Sequence, residues 1–102
     1  MIVVDIGNTN IVIGVYSKKK LIYTFRFDTK DKKLPLILNK NFNINKINNF
    51  NLDYNKCIVS SVSSFATNDI INYFKKLKFS VISINVNNIP KKIKFNYKLN
   101  QL

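Results

Sequence analysis

The sequence contains no histidine, no tryptophan and no glutamate, and its one cysteine is Cys57. Without histidine, neither a serine–histidine–aspartate nor a cysteine–histidine catalytic pair can be assembled, and a histidine-rich zinc site is excluded too. A lone cysteine forms no internal disulfide, so a reducing cytoplasm is the natural compartment. Cys57 reads as a small hydrophobe packed in a strand. No apolar run approaches the roughly 18 residues of a membrane-spanning helix. The start, Met1-Ile2-Val3-Val4-Asp5, lacks the basic region and long apolar stretch of a secretory signal. Acids are scarce as well: Asp5, Asp28, Asp31, Asp53 and Asp69 are all there are.

What is present suits one globular domain. A chain of 102 residues has room for a single modest core, and 46% hydrophobic against 22% charged residues separates it from disordered tails. The net charge of +12 points first to nucleic acid or an anionic membrane. Its origin argues otherwise. The chain holds 17 Asn, 15 Ile and 16 Lys, types with AT-rich codons, beside a single arginine, Arg26. The lysines are scattered (Lys18 to Lys20, Lys32-Lys33, Lys75-Lys76-Lys78, Lys91-Lys92-Lys94), whereas a nucleic-acid face interleaves arginine with aromatics. Neither nucleic acid nor membrane is an expected partner.

Along the chain, Met1 to Ile6 reads as a buried strand running into a tight turn. Asn10 to Tyr16 is a β-branched strand, with Gly14 placed for close backbone approach. Ser17 to Lys20 is a polar turn and Leu21 to Phe27 alternates, giving a three-stranded antiparallel meander with a hairpin at Lys18-Lys19. Leu34, Leu36, Ile37 and Leu38 around Pro35 predict a short helix. Asn39 to Asn55, with eight asparagines, predicts irregular structure or a poorly formed helix. Lys56 to Val62 is a buried strand, and Ser63 or Ser64 is positioned to cap the next helix. Ala66, Ile70, Phe74 and Leu77 fall on one face of that helix, and Lys75, Lys76 and Lys78 close it. Phe79 to Ile84 and Ile93 to Tyr97 read as further strands. The class is α/β: a three-stranded antiparallel meander followed by helix-strand crossovers.

Chemistry is concentrated in Asp5-Ile6-Gly7-Asn8-Thr9-Asn10, set between two apolar strands. A phosphate-binding turn needs a glycine for positive φ and close approach, amide N–H groups facing the anion, a short polar donor, and a carboxylate for a hydrated metal ion. Gly7, the Asn8–Asn10 backbone, Thr9 and Asp5 supply these in order. Ordinary turn chemistry accounts for Gly7 and Asn8. It does not account for an acid ending an apolar strand, where an unpaired carboxylate costs several kcal/mol.

The segment MIVVDIGNTNIVIGVY resembles the amino terminus of type III pantothenate kinases, members of the acetate and sugar kinase, heat-shock chaperone and actin superfamily. That superfamily opens with an Asp-x-Gly phosphate motif between the first two strands of a ribonuclease H-like domain. Ile58-Val59-Ser60-Ser61-Val62 is similar to the family's strand ending Ser-Ser-Val, and Ile93-Lys94-Phe95-Asn96-Tyr97 to its pantothenate-contacting segment. The likeness is weakest from Thr29 to Asn55, where family members usually carry a helix.

The resemblance implies transfer of the ATP γ-phosphoryl group to the primary hydroxyl of pantothenate, in coenzyme A synthesis. By position, Asp5, Ile6, Gly7, Asn8, Thr9, Asn10, Ile11 and Val12 would form the ATP-phosphate loop, with Asp5 holding Mg2+ through water. Tyr97 would contact pantothenate. A monovalent cation (K+ or NH4+) and a homodimer are also implied. The family's catalytic aspartate lies in a Gly-x-Asp-Arg motif shortly after the tyrosine segment. The 102 residues end Tyr97-Lys98-Leu99-Asn100-Gln101-Leu102 without it. Residues 1–102 are thus expected to be one amino-terminal, ribonuclease H-like half-domain, without the second domain and inactive alone. The alternatives are half of a split enzyme completed in trans, a non-catalytic binding or accessory module, and, more weakly, a sugar kinase fragment.

Overall fold

The computed structural model describes residues 1–31, 33–62 and 66–85. Within them the chain forms β1 (Ile2–Ile6), β2 (Asn10–Ser17), β3 (Lys20–Asp28), α1 (Leu34–Phe42), α2 (Ile44–Phe50), β4 (Lys56–Ser61), α3 (Thr67–Lys76) and β5 (Ser80–Asn85). The described strands make one sheet in the order β3-β2-β1-β4-β5. β1, β2 and β3 pair antiparallel, the expected meander, while β4 and β5 add in parallel beside β1. The α/β expectation therefore holds, and Asp5 lies at the end of the sheet's central strand.

Strand alternation divides β1 between two environments. Ile2, Val4 and Ile6 are fully buried in the same core as Ile11, Ile13, Val15, Cys57 and Val59. Leu34, Leu38 and Phe42 of α1, Ile47 of α2, and Ile70 and Phe74 of α3 belong to that core too. The described helices thus cover one face of the sheet, and Asp5 points to the other. Phe42 ties the layers together: its ring meets Tyr23 and Phe25 of β3, Phe50 after Ile47, and Phe74.

The asparagine-rich stretch is a correction to the sequence reading. The short helix expected around Pro35 is present as α1, but it runs on to Phe42 and α2 follows at once, where irregular structure or a poorly formed helix was expected. Asparagine is a poor helix interior residue but a good terminator, and here it works at the ends. Asn43 caps α2, its Oδ1 accepting from the Lys46 N–H at 3.0 Å, and Asn51 closes the same helix at φ 54°. Buried Leu34, Leu38 and Phe42, spaced every four residues, supply the packing that propensity does not.

At α3 the cap position is Ala66, without a side-chain cap, so the serine cap is corrected as well. Ser63 and Ser64 lie outside the described residues. So do the expected strand Ile93 to Tyr97 and the Lys91-Lys92-Lys94 run. The α3 face is as predicted, with Ala66, Ile70 and Phe74 buried, Asp69 in the first turn and Lys75 and Lys76 in the last.

Candidate functional site

β1 ends at Ile6 and β2 starts at Asn10, so Gly7, Asn8 and Thr9 form the connection. The Gly7 N–H donates to the Asn10 carbonyl at 2.9 Å, closing the loop. A side chain at Gly7 would place its Cβ 3.2 Å from that same oxygen. Glycine therefore serves the close approach that was expected. The positive φ that was also expected is absent, since no described glycine has one. At Gly14 the crowding comes from the side chains of Leu21 and Tyr16, at 3.2 and 3.3 Å from a would-be Cβ, rather than from backbone.

The eight predicted loop residues divide by environment. Ile6 and Ile11 are fully buried in the core and offer the site only main chain. Gly7 is half-buried, and Asn8, Thr9 and Asn10 are exposed. Among the described residues, neither the Asn8 nor the Thr9 N–H makes a hydrogen bond. The Asn10 side-chain amide donates to the Thr9 hydroxyl at 3.1 Å, which leaves that hydroxyl's own proton to be donated elsewhere. Asp5 is half-buried, with Val12 and Ser60 as its register neighbours on the face away from the helices. Tyr97 lies outside the described residues.

Two residues near the loop escaped the sequence reading. Thr29, buried behind the loop, donates its hydroxyl to the Gly7 carbonyl at 2.9 Å and its N–H to the Thr9 carbonyl at 3.0 Å. The signal was its place just after β3, because Asn10 pairs with Asp28 and brings the next residue under the loop. Ser60 is buried beside Asp5, and its hydroxyl has no hydrogen-bond partner among the described residues. Only the parallel register of β1 and β4 brings it there, and sequence does not display register.

Exposed amides and a short hydroxyl on a closed loop are what anion binding demands, and a nearby carboxylate suits the hydrated cation that accompanies a phosphate. Among the described residues no group of three or more acids or cysteines could cage a metal ion. A single carboxylate fits Mg2+ nonetheless, because that ion keeps several waters and shares its coordination with substrate phosphates.

The chain matches the family model of type III pantothenate kinases over residues 1–101. It belongs to the type III pantothenate kinase family. The match runs through the asparagine-rich helices as well as the motif-bearing strands. Members of this family are kinases of coenzyme A biosynthesis, and the kinase reaction implies ATP as the donor. No helix among the described residues is long and apolar enough to cross a membrane.

At the far end of the sheet lies an open hollow of about 240 Å³ lined by Met1, Tyr16, Lys19, Asp53, Tyr54 and Lys56. Burial holds the Met1 amino group below the usual range for a chain terminus, with Asp53 partly opposing that shift. Its charges are mixed in sign, and no predicted site residue reaches it.

Proposed function

We propose that residues 1–102 form the ATP-phosphate-binding, ribonuclease H-like part of a pantothenate kinase site. The observation that carries this reading is the closed Gly7–Asn10 loop, whose Asn8 and Thr9 N–H groups have no partner among the described residues, following directly on Asp5, which lies on the sheet face away from the described helices. The sheet order, an antiparallel meander extended by two parallel strands, supports the fold assignment.

In this reading the Asn8–Asn10 amides and the Thr9 hydroxyl receive phosphate oxygens, while Ile6, Gly7, Ile11 and Val12 set the backbone path. Asp5 orients water on Mg2+, which when bound neutralises charge on the β- and γ-phosphates. The pantothenate hydroxyl oxygen forms the new bond to the γ-phosphorus as the bond to the β,γ-bridging oxygen breaks, leaving ADP. The hydroxyl proton requires a base, and the Gly-x-Asp-Arg aspartate is not among these 102 residues. In this reading the base is the family's Gly-x-Asp-Arg aspartate, supplied by polypeptide that carries that motif. Tyr97 is assigned to pantothenate. Assembly as a homodimer, dependence on K+ or NH4+ and a cytoplasmic location complete the proposal.

The test combines this chain with the Gly-x-Asp-Arg-bearing half of a family member and follows ADP release. Release that depends on both halves and on pantothenate supports the reading. Soluble, folded halves that bind each other yet release no ADP sink it.

A further inference from the structure

We propose that Thr29 is the positioning residue that presets the phosphate loop. The inference rests on the phosphate-binding role proposed for that loop. Thr29 is 5% exposed and contributes two donors, its hydroxyl to the Gly7 carbonyl and its N–H to the Thr9 carbonyl. The two acceptors flank Asn8, so both carbonyls are drawn inward toward one residue. A loop with its carbonyls held behind it cannot turn those oxygens toward an incoming phosphate, and its amides are left in front. Preorganisation of this kind raises affinity by removing the ordering that binding would otherwise require.

The same residue joins the loop to β3. Asn10 pairs with Asp28, and Thr29 follows directly, so the third strand of the meander reaches under the β1–β2 loop. A meander strand that makes no phosphate contact thereby sets the shape of the site.

The valine variant Thr29→Val keeps the shape and the N–H but removes the hydroxyl donor, while Thr29→Ser keeps the hydroxyl. Mg·ATP affinity is measured on the 102-residue chain below its unfolding transition, with amide shifts of residues 7–10 recorded in the free protein. T29V should shift those amides and weaken Mg·ATP about tenfold, and T29S should stay within about twofold of wild type. A merely structural threonine would lower the unfolding temperature of T29V without changing the affinity of folded molecules. In the wild type, Mg·ATP should also slow hydrogen exchange at the Thr29 amide, because loop and clamp open together. That readout needs no variant to fold. Equal affinity in T29V and wild type, or unchanged Thr29 exchange on binding, overturns the assignment of Thr29 alone. A wild-type chain that binds no Mg·ATP overturns the phosphate reading itself and leaves the clamp as structure only.

Discussion

The β1–β2 loop and the β2–β3 turn leave opposite ends of the same strand, both polar and largely exposed, yet among the described residues only the loop is held by a buried side chain. Lys18 and Lys19 turn the chain in two residues, at φ 51° and 67°, and the tip is tethered by Asp53 accepting from the Lys18 N–H at 3.1 Å. The Gly7–Asn10 loop contains no positive φ at all, but Thr29 grips it through two hydrogen bonds. Backbone strain marks the ordinary hairpin here, and buried support marks the candidate site. The difference also separates two charges: a carboxylate stands beside the supported loop, and solvated lysines crown the turn.

The largest effect should come from removing that carboxylate. Asp5→Asn is expected to lower phosphoryl transfer in the completed enzyme by about 10²- to 10³-fold, read as pantothenate-dependent ADP release. Activity within a few-fold of wild type would erase the distinction between the two ends.

The hairpin end should instead govern stability in alkali. Cys57 pairs with Ile2 near that end, and burial pushes its thiol up to about 12 from an ordinary 9.0. The folded protein keeps a proton that the unfolded chain releases, so this contribution is fully present below about 9 and is lost as pH rises toward about 12. Tyr16 and Tyr73, raised by burial, act in the same direction. Urea midpoints should fall by an amount worth on the order of 3 kcal/mol by about pH 11. Cys57→Ala should flatten that slope, and an equally steep slope in the variant would place its origin elsewhere.

Relieving the turn should have a smaller and opposite consequence. Lys18→Asn with Lys19→Gly suits two positive-φ positions and should stabilise the fold by about 1 kcal/mol in thermal unfolding, with Mg·ATP binding unchanged. A change in binding would mean that the two ends communicate through β2. The smallest effect is expected far from both: Asn43→Ala should cost about 1 kcal/mol or less through the lost cap of α2.

Much of this layout was legible in the sequence because its strands are written in β-branched runs. Ile2, Val4, Ile11, Ile13 and Val15 gave the meander, the Lys18-Lys19 hairpin and the Gly7–Thr9 connection between β1 and β2. Phe74 and its neighbours gave α3. The start of α1 was legible in Leu34 to Leu38 around Pro35, but its run to Phe42 and the whole of α2 were not, since asparagine disfavours helix interiors and only tertiary packing around Phe42 reveals the buried face. Thr29 and Ser60 were hidden for another reason. Each gains its place from strand register, Thr29 across β3 to β2 and Ser60 across β4 to β1, and a single sequence carries no register.

The most direct test of the account is the map of backbone amide shifts when Mg·ATP is added to the 102-residue chain. Shifts are expected to concentrate at residues 5–12 and Thr29, with Lys18, Lys19 and the Asp53–Lys56 hollow unmoved. Shifts centred on the hairpin end, with residues 7–10 silent, would contradict it.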